Sequence, residues 1–144
     1  MPPRAIASRS AFGAAVAAAA GLGLVMTNPG RDDFEPFAAE QLTKAAVEEL
    51  CDPSSLPAIA RLLVRDCPGL IRSQRPVLGK LALAATQRRN FLLFSLYRTD
   101  LGGQQVLPDW RIPRYQALTL AAAGRFLLLP QAHSPGAEAE IAAP

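Results

Sequence analysis

Histidine is nearly absent from this chain: its 144 residues include one, His133, together with two cysteines, Cys51 and Cys67. So few soft or imidazole donors cannot assemble an ordinary zinc set, which takes three or four such ligands. A Ser-His-Asp or Cys-His centre would have to recruit His133. That residue falls in the proline-flanked tail, residues 131–144, whose small and polar composition reads as disordered. No phosphate-cradling loop is written, because Gly21, Gly23 and Gly102-Gly103 lack the strand–loop–helix setting. Asp100 and Asp109 could be imagined as a carboxylate pair, but nothing singles them out. The expectation is a non-enzyme with no cofactor and no metal. Aromatic residues make up only 6%, so large core-formers are few. Thirteen prolines cut the chain into short elements, and no internal repeat is visible.

What is present begins at the N-terminus. Arg4 and Arg9 precede an uncharged, alanine-rich run from Ala11 to Met26. A positive start followed by an apolar stretch is how an export signal or a membrane anchor is written. As a helix the 16-residue run would measure about 24 Å, short of a hydrocarbon core of about 30 Å. The reading adopted is an uncleaved single-pass anchor over residues 1–27, with the N-terminus cytoplasmic and the following domain periplasmic or lumenal. The alternative is a signal cleaved near Ala18-Ala19-Ala20 and a secreted protein. The anchor would make membrane lipid one partner, with an unknown membrane or periplasmic protein as another.

The net charge of +3 is unevenly spread. Residues 28–50 carry six acidic and two basic groups, and residues 51–114 ten basic and four acidic ones. The plain reading is two solvated faces of one small domain. The sharper one is a basic face for an anionic partner. Outside the cytoplasm that means anionic lipid or an acidic protein and not nucleic acid.

Residues 28–130 read as one small α+β domain. Asn28-Pro29 looks like a helix start, Asn28 capping and Pro29 in the first helical position. Phe34, Phe37, Ala38, Leu42, Ala45, Ala46 and Leu50 form one stripe, predicting a helix over about 29–50. A second helix is predicted over about 56–66, closed by Cys67-Pro68-Gly69, and a third over 76–87 with Val77, Leu78, Leu81, Ala84 and Ala85 inward and Gly79 weakening it. Asn90 to Thr99 is dense in β-formers and reads as one strand. A long loop over 100–114, a strand over 115–121, a bulge or turn at Gly124 and a strand over 125–129 complete the pattern. The whole predicts an N-terminal hydrophobic helix, then about three helices on an antiparallel sheet of two to three strands.

Cys51 and Cys67 fall at the ends of adjacent predicted helices, a placement that suits a disulfide. Closing about 17 residues, it would stabilise by roughly 3 kcal/mol. Two free buried thiols are the alternative. In Thr86-Gln-Arg-Arg-Asn90, Thr86 and Asn90 would hold a helix-to-strand turn, with Arg88 and Arg89 exposed. Functionally, Arg88 and Arg89 could join Arg72 and Arg75 in binding an anion such as a phosphate head group. Trp110, between prolines and arginines, is either a cap over the small core or a partner or membrane-interface contact.

Several of these stretches are shared with a known family. Thr27-Asn28-Pro29 after an apolar segment, the two cysteines, Ser73-Gln74-Arg75-Pro76 and above all the run from Thr86 to Leu101 resemble the bacterial, mostly cyanobacterial, domain of unknown function 4359. The likeness spans about residues 22–130. It implies a small exported or anchored protein and brings no activity and no catalytic residues. The leading expectation is a non-enzymatic structural or protein-interaction module at a membrane. The runner-up is a binder of lipid or another hydrophobic or anionic small molecule, for which an enclosed apolar cavity beside Arg88 or Arg89 would speak.

Overall fold

The computed structural model describes residues 4–54, 58, 65–108, 110–112 and 114–130. The predicted helix over 56–66 and the tail from Gln131, with His133, lie outside the described residues. Helix α1 spans Arg4–Met26, longer than the apolar run because Arg4 to Ser10 continue the same helix. Its apolar window, Arg9–Met26, is long and apolar enough to cross a membrane, and none of it is buried by the rest of the chain. At 1.5 Å per residue the whole helix measures about 34 Å.

Helix α2 spans Arg31–Leu50. Its cap is not Asn28. Gly30 takes the N-cap position, and the Asp33 carboxylate accepts the Gly30 amide proton at 2.9 Å. Asp32 and Asp33 then sit in the first turn, where the helix dipole favours negative charge. Phe34, Ala38, Ala39, Leu42 and Thr43 are buried. The fully buried part of the predicted stripe ends there, and Leu50 is exposed.

Cys67-Pro68-Gly69 opens a helix where closure was expected. Helix α3, Cys67–Ser73, is capped by Asp66, whose carboxylate accepts from the Gly69 amide, with Pro68 in the first turn where no donor is needed. Helix α4 spans Arg75–Ala84. Its contacts run Arg75 to Glu40, Gly79 to Ala39 and Leu83 to Arg31, so α4 lies antiparallel to α2. Gly79 was expected to weaken this helix, but it is the point of closest approach. A Cβ there would stand 2.9 Å from the Ala39 Cβ. The buried line is therefore Gly79 and Ala82, flanked by Leu78 and Leu83, while Val77 and Leu81 are exposed.

The sheet has four antiparallel strands in the order β1-β2-β5-β6: β1 Thr86–Asn90, β2 Phe94–Leu101, β5 Tyr115–Ala122 and β6 Arg125–Leu129. A small hairpin, β3 Gln105–Leu107 with β4 Trp110–Arg111, sits in the β2–β5 connection. The predicted ten-residue strand over Asn90 to Thr99 is in fact the heart of a hairpin. Thr86–Asn90 is a strand of its own, pairing Thr86 with Thr99 and Asn90 with Ser95. Leu92 turns the chain with φ of 67°, a left-handed value that costs an L-residue about 1 kcal/mol. The Asn90 side chain meets part of that cost by accepting from the Leu92 amide at 2.9 Å.

Because side chains alternate along a strand, the inner face shows Ser95, Tyr97 and Thr99 from β2 and Ala117, Thr119 and Ala121 from β5, all buried. Small residues on both layers let α2 and α4 approach closely. The volume is filled by an aromatic cluster: Phe34 stacks on Tyr97 at 4.2 Å between ring centroids, and Phe37 stacks on Phe126 at 5.1 Å. The buried Thr86 and Thr99 hydroxyls share a hydrogen bond at 2.7 Å. The outer face, with Phe94, Leu96, Leu118 and Leu120, is half-buried.

Candidate functional site: the junction between the apolar helix and the sheet

Thr27, Asn28 and Pro29 connect α1 to the domain: the Thr27 amide and hydroxyl and the Asn28 backbone amide bond back to α1, while the Thr27 and Pro29 carbonyls and the Asn28 side chain are taken up by the sheet end. The Gly124 amide, in the β5–β6 turn, donates to the Thr27 carbonyl at 2.7 Å. That turn is tight because Ala123 and Gly124 both have positive φ, which suits the twist of a two-residue hairpin. The Asn28 amide donates to Asn90 Oδ1 at 2.9 Å and to the Leu92 carbonyl at 3.0 Å. Its own oxygen accepts from Ser95 Oγ at 2.9 Å. The Pro29 carbonyl accepts twice, from Tyr97 OH at 2.8 Å and from Arg88 Nη2 at 3.2 Å.

Strand register explains why these groups meet. Asn90 pairs with Ser95, Ser95 with Ala121 and Ala121 with Phe126, so the two hairpin turns lie side by side at one end of the sheet. Arg88 and Tyr97 form the next inward row. Arg88 therefore lies over the Tyr97 ring, 5.7 Å from its centroid, and donates from Nε to Ser95 Oγ at 3.2 Å. Such a cation above an aromatic face contributes roughly 0.5–1 kcal/mol. Burial raises the Tyr97 hydroxyl above its ordinary value of 10.0, a shift opposed by the Arg88 charge, so the phenol stays a donor.

The four arginines proposed for an anion do not converge. Arg88 points inward and is committed to Ser95 and Pro29, not exposed as its sequence setting suggested. Arg89, one residue on, faces the opposite side of the sheet and is exposed. Arg75 approaches Glu40 at 3.8 Å on α2, and Arg72 stands in the last turn of α3. The β3–β4 hairpin follows Leu101, so the Trp110 backbone lies at the end of the sheet away from α1. Asp100 is clamped by Arg114 Nε at 3.0 Å and Nη2 at 2.8 Å and by Gln116 at 3.2 Å. These hydrogen bonds hold its carboxyl below the usual range, which leaves a poor general acid. Asp109 lies outside the described residues.

Cys51 and Cys67 are brought to bonding distance, with Cα atoms 5.7 Å apart. The bridge ties the end of α2 to the start of α3. A small, partly open cavity against the core has room for about 10 Å³, one water at most, and is lined by Phe34, Ala82, Thr99 and Tyr115, not by Arg88 or Arg89. An open groove of about 480 Å³ beside the junction is lined by Met26, Asn28, Asp32, Asp33 and Phe126. The residues missed by sequence reasoning are Ser95 and Tyr97 as junction partners. They lie 67 and 68 positions from the groups they bond. The available signal was Asn28 and Asn90, polar residues flanking apolar runs.

The architecture defines a class: a small α+β domain of two-layer type, helices on one face of an antiparallel meander, preceded by an exposed apolar helix. Residues 22–131 match the family described as Domain of unknown function (DUF4359), and the chain belongs to that family. The matched span takes in the end of α1, the junction and the whole sheet. No curated protein and no solved structure matches the chain.

Proposed function

We propose that the chain is a single-pass membrane protein whose small domain stands outside the cytoplasm as a non-enzymatic structural or protein-interaction module. The observation that carries this reading is the junction. Six hydrogen bonds fasten the three residues after α1 to the sheet, so the domain is held to the helix instead of swinging on a linker. A fixed attitude to the bilayer is what an interaction module needs and what a freely diffusing binder does not. Arg4 ahead of the apolar window and Arg9 at its first position favour a cytoplasmic N-terminus. The Cys51–Cys67 pair suits an oxidising compartment.

The reading as a binder of lipid or an anionic small molecule has less support. The core is filled, the four arginines are dispersed, and the open groove at the junction presents Asp32 and Asp33, which repel an anion. Membrane fractionation tests the proposal. The full chain should stay with membranes after alkaline carbonate washing, and external protease should reach the domain. A chain lacking residues 1–26 should be released. A mature N-terminus near Gly21, or extraction of the full chain by carbonate, would refute the anchor.

A further inference from the structure

The β1–β2 turn presents three consecutive large apolar side chains to solvent: Phe91 at 48%, Leu92 at 67% and Leu93 at 43% exposure. Soluble hairpin turns usually carry glycine, asparagine or aspartate, which reach positive φ without strain and are hydrated. Here the left-handed position is filled by Leu92. The turn is also stiff. The Phe91 and Phe94 rings stack at 4.9 Å, the Phe91 amide donates to the Phe94 carbonyl at 2.8 Å, and Asn90 holds the Leu92 amide.

Its position gives the exposed patch a partner. The Leu92 carbonyl accepts directly from Asn28, two residues beyond the last residue of α1. Whatever surface α1 leaves at Met26 is therefore at the level of this turn. We propose that Phe91, Leu92 and Leu93 form a second membrane contact, dipping into the lipid interface beside the exit of α1. The proposal rests on the anchor reading above. Aromatic and leucine side chains are the residues that partition there. Arg89, exposed one residue before Asn90, and Arg125, exposed at the neighbouring turn, are placed to meet head-group phosphates. With α1 as one leg and the turn as another, the domain is fixed in tilt as well as in place.

The test is depth-dependent quenching. The full chain, carrying Trp110→Phe, is reconstituted in phosphatidylcholine vesicles with brominated acyl chains, and single tryptophans are placed by Leu22→Trp, Leu92→Trp, Phe91→Trp and Leu70→Trp. Leu22 lies in α1, and Leu70 is exposed on α3, beyond the Cys51–Cys67 bridge at the far end of α2. The expected result is at least twofold quenching of Leu22→Trp and of both turn tryptophans, with Leu70→Trp unquenched. Quenching of Leu22→Trp alone overturns the proposal while the anchor stands, and leaves the turn to a protein partner or a second copy of the chain. An unquenched Leu22→Trp overturns the anchor and the proposal together. Equal quenching at Leu70→Trp also overturns it, because the contact would not be the turn's own. Phe91→Trp keeps the test valid if Leu92→Trp disturbs the positive-φ position.

Discussion

Asn28→Asp separates two accounts of the same residue. As a helix N-cap, aspartate serves as well as asparagine and would gain from the helix dipole, so the change would be neutral or stabilising. In the junction the outcome reverses. The Asn28 amide donates to two acceptors, Asn90 Oδ1 at 2.9 Å and the Leu92 carbonyl at 3.0 Å. A carboxylate of the same shape keeps only the bond it accepts from Ser95 and places its other oxygen against two lone-pair-bearing atoms. Two lost hydrogen bonds cost about 1 kcal/mol each. The Arg88 guanidinium, already engaged with Ser95 and Pro29, offsets the added oxygen repulsion in part. The expected loss is about 2 kcal/mol, which for a domain of roughly 100 residues lowers Tm by about 8 °C or more. Thermal unfolding of the detergent-solubilised chain, followed by circular dichroism at pH 7, measures it. A Tm equal to or above that of the parent would refute the junction account.

Other perturbations test separate parts of the structure. Replacing Cys51 and Cys67 by serine should cost roughly 3 kcal/mol, and a reductant should lower the parent's Tm to that of the double variant while leaving the double variant unchanged. Gly79→Val should destabilise by about 1–3 kcal/mol in a denaturant titration, since its first side-chain carbon would already press on Ala39 at 2.9 Å. An unchanged midpoint would mean that α2 and α4 are not in tight contact there. Burial raises the hydroxyls of both Tyr97 and Tyr115 above 10.0. Unfolding releases these protons more readily, so their contribution is intact below pH 10 and is lost as pH rises through the folded values. Tyr97→Phe should flatten that alkaline loss of stability, and an equally steep loss would contradict a buried phenol.

Local signals read well where one physical cause dominates. The α2 stripe of Phe34, Ala38 and Leu42 is set by helical period, and Gly124 marks the β5–β6 turn because positive φ is cheap there. The hairpin at Phe91–Leu93 was illegible for the opposite reason. An unbroken apolar run with no glycine or proline looks like strand, and only Asn28 and Asn90, bonding the turn from either side, make a left-handed leucine tolerable. Gly79 was misread because its value is not in its own helix but in the room it leaves for α2. Asn28 was misread because a good cap in isolation is also a good bridge once a sheet end stands beside it.

By itself the sequence determined the order of the parts: an apolar helix behind two arginines, an acidic amphipathic helix, a pair of cysteines at helix ends, and β-forming segments near the C-terminus. Composition and period are properties of neighbours in the chain, so they survive without a fold. Tertiary structure decided how those parts meet. It turned Arg88 inward over Tyr97, dispersed the arginines that had looked like one site, filled the core, and gathered Thr27 to Pro29 with two hairpin turns from more than 60 residues away. Those contacts depend on strand register and on the close approach of α2 and α4. Neither is encoded in any single stretch of residues.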